Sequence, residues 1–340
     1  MKIRFRIGRT HFTVAPRAIF LLWILIGIGA YFLIRAVLSH NNFTVLLAPP
    51  AEKTSVSKIN TESPKPVDES QAQKLKEQYR NKFVLIFFYD GYSSQASALA
   101  QIQVLKATLN IVEPFKSYSD MVATKVFTTD SQKCRVKETG NVKLLICDKK
   151  LIESFKLLGI DHFKLVILSP LEFSSTAITA RGSNSWITLS TFNKGMSQES
   201  YNRFLGLQFA QNLGVSLGLS QEGTVSNKDM KSLEQDPNCA DNEQRAKTWW
   251  GPYTKVFKEV GYFKGCNGDN SLIYPEQDTL MSQTPKKENY GHVSEDYLKQ
   301  VLTCFYGNGE KVKDIKVATY SATLSSCSLF KDKYPLFWQQ

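Results

Sequence analysis

The sequence predicts an α/β layered domain followed by a loop-rich, disulfide-held C-terminal lobe, with one apolar segment ahead of both. Three observations carry this reading. Continuously apolar strands alternate with stretches of helical spacing from residue 82 to about 217, as in a layered α/β domain. Beyond residue 223 the chain turns irregular, with short helices expected near 247–260 and 294–305. All six cysteines lie in the second and later thirds of the chain, and none forms a CxxC pair.

The first element is the apolar segment. Ala18 to Ile34, "AIFLLWILIGIGAYFLI", holds 17 residues without a charge, bracketed by Arg17 and Arg35. A secretory signal has an apolar stretch of about 7–15 residues and a membrane span about 17–25, so the run sits at the short end of a span. Arg35 can snorkel and let Ala36 to Leu38 join it. "LLAPP" is a poor cleavage site because of its prolines, and an uncleaved anchor over 17–38 is preferred to a cleaved signal. A buried core helix is the disfavoured alternative, since the run is apolar all round.

Charge sets the orientation. Lys2, Arg4, Arg6, Arg9 and Arg17 precede the segment, and no acid occurs before residue 40. The positive-inside rule makes residues 1–16 a cytoplasmic basic N-terminus and puts the bulk of the chain outside. The expected location is a cell membrane, crossed once, with the protein facing outward on a prokaryotic cell. Of the net charge of +11, six Lys/Arg belong to residues 1–40, leaving 36 against 31 acids. That mild remainder, with no basic stripe interleaved with aromatics, argues against a nucleic-acid partner.

Residues 39–80 read as a tether. From 49 to 80 they are rich in Pro, Ser, Lys and Glu and poor in large apolar residues, with helix expected only near the end. The domain proper spans 81–340. It opens on "KFVLIFFYDGY" (82–92), a strand buried on both faces and stopped by Asp90-Gly91. A helix follows over 95–113, with Ala98, Ile102, Leu105 and Leu109 at helical spacing. "MVATKVFTTD" (121–130) is a strand, "LLICD" (144–148) ends another segment, "LIESFKLLGI" (151–160) is helical, and "FKLVILS" (163–169) is a third buried strand. "SNSWITLST" (183–191) alternates as a half-exposed edge strand does. A long helix then covers about 197–217.

Cys134, Cys147, Cys239, Cys266, Cys304 and Cys327 are even in number and all lie beyond the apolar segment. Outside the cell they imply three disulfides, for which pairing in sequence order is the simplest arrangement. Free buried thiols are the other reading.

The long helix carries the question of function. Its end, "QNLGVSLGL" (211–219) with Glu222 beyond, has the spacing of a zinc-peptidase helix, in which residues four apart share a face. The chemistry is missing. Two histidines would hold zinc and a glutamate between them would activate its water. Here Gln211 and Val215 stand at the two histidine positions and Asn212 at the base. Valine cannot ligate zinc, glutamine is a weak neutral ligand, and asparagine is no base near neutral pH. Only His162 and His292 lie beyond the N-terminal region, so metal chemistry of this kind is excluded. Taken alone, the helix reads as ordinary core, with Gly214 and Gly218 admitting a close neighbour.

The order of segments adds to this. "LIFFYDGY", "EPFKSYSD", the Cys134 to Cys147 segment, "LGIDHFKLVILS", the 204–222 helix, "PNCADNEQRAKTWW", "GYFKGC", "DTLMSQ" and "YGHVSEDYL" follow one another. In that order they resemble the IgA-specific-metalloendopeptidase-like family of zinc metallopeptidases, over about residues 82–303. The resemblance implies a zinc-peptidase-like (metzincin-like) fold. It places the family's histidines on Gln211 and Val215, its catalytic glutamate on Asn212, and its acidic pair on Gln221 and Glu222. It puts Met281 of "TLMS" in a methionine turn beneath the metal position, and makes Cys239 and Cys266 a clasp around the cleft. Scaffold positions persist where ligand positions do not. The resemblance further implies that an extended peptide pairs with the edge strand, beside Gln211 and Asn212, through Trp186, Thr188 and their neighbours. The competing reading is a strand edge covered by the chain itself.

The expectation is therefore a membrane-anchored, non-catalytic peptide- or protein-binding module without metal or cofactor, its partner an extended peptide or an envelope protein. An active hydrolase with other ligands (Glu222, Asp229, His162 or His292) and a structural cell-envelope protein are the alternatives. His162 and His292 themselves read as structural, and Trp249 and Trp250 as core or a wall of the cleft.

Overall fold

A computed structural model describes residues 3–7, 10–14, 68–129, 131–160, 163–177, 186–223, 237–285, 287–307 and Cys327. The chain divides into two units, residues 1–54 and 55–340. In the first, strands β1 (Ile3–Ile7) and β2 (Thr10–Val14) form an antiparallel hairpin. The expected anchor, 17–38, lies outside the described residues, as do His162 and Asp229. Among the described residues no helix is long and apolar enough to cross a membrane.

The second unit begins with α1 (Glu69–Gln78), capped by Asp68, which accepts from the Gln71 amide. β3 (Phe83–Tyr89) follows, with all seven side chains buried. Because successive side chains point to opposite faces, Phe83, Leu85, Phe87 and Tyr89 enter one core and Val84, Ile86 and Phe88 another. A strand with two apolar faces fits only at the centre of a sheet covered on both sides. That is its place. α2 (Gln95–Leu109) leads to β4 (Val122–Thr128), which lies parallel beside it. The helix starts at the Ser94 cap and stops at 109, short of the 113 expected from the spacing.

β5 (Cys134–Thr139) and β6 (Val142–Cys147) make a separate antiparallel hairpin. Gly140, with φ +58°, takes the left-handed conformation its tight turn requires. α3 (Lys149–Lys156) starts two residues earlier than the apolar spacing indicates, because Asp148 caps it by accepting from the Lys150 amide. β7 (Phe163–Ser169) lies parallel on the other side of β3.

The sheet edge lies elsewhere than the alternation predicts. The alternating segment is β9 (Trp186–Ser190), but it is not the edge: it pairs parallel with β7 and antiparallel with the two-residue β8 (Thr176–Ala177). The sheet order is β4-β3-β7-β9-β8, parallel except at β8. β9 alternates because its two faces meet different layers, not because one meets water. Ile187 and Leu189 enter the core that α4 covers, while Trp186 packs on the opposite one.

α4 (Gln198–Ser216) runs 19 residues from a Ser197 cap and packs on the same side of the sheet as α2. Gly206 admits the Thr108 side chain of α2 at their crossing. The opposite face of the sheet is covered by α3, the β5–β6 hairpin and the Leu75 and Tyr79 side chains of α1 and its cap. The C-terminal lobe is more regular than the sequence suggests. α5 (Glu243–Thr254) is capped by Asn242, and β10 (Val260–Cys266) and β11 (Asp269–Glu276) form a hairpin with irregular register. α6 (His292–Gln300) continues into a π-helical turn over 301–306. Disulfides join Cys134 to Cys147, Cys239 to Cys266 and Cys304 to Cys327, so the mixed α/β domain carries three crosslinks in sequence order.

Candidate functional site

α4 is not buried evenly. Leu205, Phe209 and Leu213 are sealed in the core, whereas Phe204 is 46% exposed and Gln208, Gln211 and Val215 are half-buried. These four recur at helical spacing and form one uncharged stripe. Hydrogen bonds tie the stripe to a wall on either side. The Ser175 hydroxyl, just before β8, donates to Gln208 Oε1 at 3.0 Å. One turn further on, Gln211 Nε2 donates to the Ser282 carbonyl at 2.7 Å. The helix is thus a floor between β8, the sheet edge among the described residues, and the 279–283 turn.

The position implied for a general base is turned inward. Asn212 is buried, and its amide donates to the Gln208 carbonyl of its own helix at 2.8 Å. Beneath the helix sits Met281, fully buried. A methyl group on Gly214 would meet its sulfur at 2.9 Å and the Tyr290 ring at 2.7 Å. Glycine is required there because side chains from a distant turn lie against the helix backbone. The same segment is held at its carbonyls: the Tyr290 hydroxyl donates to Ala210 at 2.5 Å and the Tyr297 hydroxyl to Leu217 at 2.8 Å. Gly218, at φ +97°, ends the helix against the Tyr297 hydroxyl.

Gln221 and Glu222 lead away from the stripe. The Gln221 backbone exchanges hydrogen bonds with Asn267, its amide donating to Oδ1 at 3.2 Å and its carbonyl accepting from the Asn267 amide at 2.9 Å. Glu222 is 1% exposed, and both carboxyl oxygens are occupied. Asn238 Nδ2 lies 3.0 Å from Oε1 and the Thr279 hydroxyl 2.5 Å from Oε2. Desolvation pushes its pKa up to about 8; the bonds to Thr279 and Asn238 oppose the rise and the charge of Glu276 adds to it. Its backbone also bridges to Met281, so Glu222 fastens the chain leaving α4 to the turn that carries Met281.

A zinc site does not fit these residues. Gln211 spends its amide on Ser282, Val215 has no donor atom, Asn212 faces its own helix and Glu222 is enclosed by protein donors. Among the described residues no group of three or more His, Cys, Asp or Glu is placed to hold a metal. His292 lies stacked on Phe257, ring centres 3.7 Å apart. Trp250 is core, its indole donating to the Pro237 carbonyl at 3.2 Å, while Trp249 is partly buried under Arg245.

β9 does not offer the free edge expected of it. Thr188 is buried and its hydroxyl bonds to that of Thr176 at 3.0 Å, so its edge is taken by the chain itself. Trp186 lies on the far face of the sheet from Gln211. What the arrangement can still do is present the outer edge of β8 above an uncharged, hydrogen-bonding floor.

Gln208 was legible as the residue one turn before Gln211. Ser175 and Ser282 were not, since only folding brings them to the helix. Lys164 was also missed. It sits inside an apolar strand, yet its buried ammonium reaches the Ser216 carbonyl at the end of α4, at 2.9 Å. Burial lowers its pKa to about 7.

No protein-family model and no curated protein matches the chain. Among solved structures, the crystal structure of archaemetzincin from Methanopyrus kandleri is a weak neighbour. It has a TM-score of 0.26 at 12% identity, over 43% of this chain and 78% of that one.

Proposed function

We propose that this chain is a membrane-anchored, extracytoplasmic protein whose metallopeptidase-like domain binds an extended peptide or protein segment without cleaving it. Residues 17–38 serve as the anchor in this reading and 39–67 as the tether, a shorter stretch than the expected 39–80 because α1 packs against the sheet. The observation that supports it best is the fate of the helix positions on which metal chemistry would depend. Gln211 is committed to a neutral crosslink with Ser282 and Val215 offers no donor, while the stripe they share stays half-open. A partner would add a strand to the outer edge of β8 and lay uncharged side chains over Phe204, Gln208 and Val215. Charged side chains would find no counter-ion on that stripe.

Two measurements on the intact, detergent-solubilised chain test this. Elemental mass spectrometry after dialysis without chelator should find well under one zinc per chain. One tightly held zinc per chain would mean that ligands lie elsewhere and would favour the hydrolase. Capture from a library of labelled, unfolded peptides should exceed that of an unrelated membrane protein and should fall with Gln208→Arg, which puts a charge on the floor. No capture above that control would sink the binding reading and leave the structural envelope protein.

A further inference from the structure

The β5–β6 hairpin has two unlike faces. Val136, Leu145 and the disulfide of Cys134 with Cys147 pack inward on the sheet. Turned outward are the cross-strand pairs Arg135 with Ile146, Lys137 with Leu144 and Thr139 with Val142. Down one strand of that face runs an aliphatic row, down the other two cations and a threonine. Val142 and Ile146 are each 43% exposed, and Arg135 and Lys137 are exposed beside them. Within the paired residues 134–139 and 142–147 no acid lies on this face, and Asp148, just beyond them, turns its carboxylate to the Lys150 amide at the start of α3. Glu138 belongs to the opposite face, where it pairs with Lys143 at 3.8 Å. A solvated ribbon ordinarily turns polar side chains outward. Here a crosslinked, preorganised one shows an aliphatic row edged with positive charge.

We infer that this face docks on an anionic lipid surface, the aliphatic row entering the headgroup boundary and Arg135 and Lys137 meeting phosphates. The inference rests on reading residues 17–38 as an anchor. With residues 17–38 as the anchor, residues 39–67 join the domain covalently to that bilayer. Each Lys or Arg near an anionic surface is worth about fivefold in partition. Two such residues beside buried aliphatics suit a reversible contact that orients the domain and leaves the β8 edge, on another strand pair, to its partner.

The test uses the intact chain in nanodiscs of phosphatidylcholine alone or mixed with phosphatidylglycerol, both with brominated acyl chains. Ile146→Trp adds an indole to the ribbon, and the difference from wild type reads that indole alone. The expected result is quenching by brominated lipid in the anionic discs only, lost with Arg135→Gln/Lys137→Gln. Equal quenching in both discs, or none in either, overturns the inference. The anchor is read separately, by whether the chain resists alkaline extraction from vesicles. If it does not resist, the anchor reading falls and flotation of the intact chain with the same vesicles reads the ribbon. Binding to anionic vesicles that drops about 30-fold in Arg135→Gln/Lys137→Gln then supports a lipid-docking face, and binding indifferent to that change overturns it.

Discussion

Glu222 makes the protein less stable as pH rises, and Glu222→Gln should remove that dependence. The carboxyl lies in the core between α4 and the Met281 turn, and its pKa rises from an ordinary 4.5 to about 8. A raised carboxyl favours the folded state while protonated. The stabilisation is complete below the unfolded value and is lost as pH climbs through the folded one. With each unit worth about 1.4 kcal/mol, the loss from about pH 5 to about pH 7 is on the order of 2–3 kcal/mol, with about 1 more by pH 9. An amide of the same shape keeps an acceptor for Asn238 and a donor for Thr279, so at neutral pH the variant should lie within about 1 kcal/mol of wild type. The assay is urea unfolding of the intact chain in detergent at several pH values, scored as the difference between the two proteins so that other groups cancel. Parallel pH profiles for wild type and Glu222→Gln would refute the reasoning.

Lys164 should tilt stability the other way: its pKa is depressed from 10.5 to about 7, so its contribution is present at alkaline pH and lost as pH falls through neutrality. Lys164→Met should flatten the alkaline end of the same unfolding series. Gly214→Ala drives a methyl into Met281 and Tyr290, and should lower stability by about 1–3 kcal/mol, read as a drop in the urea midpoint. Cys134→Ser/Cys147→Ser opens a loop with a sequence separation of 13 and should cost about 3 kcal/mol. Loss of the β5–β6 hairpin's slow hydrogen exchange, with α4 retained, would locate that cost.

Much of the scaffold was legible because it is written locally. Seven apolar residues from Phe83 to Tyr89 can only be a central strand, and Ser197 and the spacing behind it fix α4 to within a residue. Gly140-Asn141 between alternating segments also announced the β5–β6 hairpin, a signal the apolar reading passed over. The β10–β11 hairpin was hidden by glycines and broken register, which blur the alternation.

The sequence by itself determined that the helix ending at Ser216 lacks histidines and a carboxylate base, because ligand chemistry resides in side-chain identity and no folding can supply a missing imidazole. It also determined the layered α/β class, because burial on one face or two imprints a period on the chain. Only the tertiary structure decided which strand is the edge, which group Gln211 bonds to, and that Glu222 is a buried clasp. Ser282 and Thr279 stand 71 and 57 residues along the chain from Gln211 and Glu222, which they meet. Such meetings leave no period and no motif, since they are set by how the layers pack and not by what neighbours along the chain prefer.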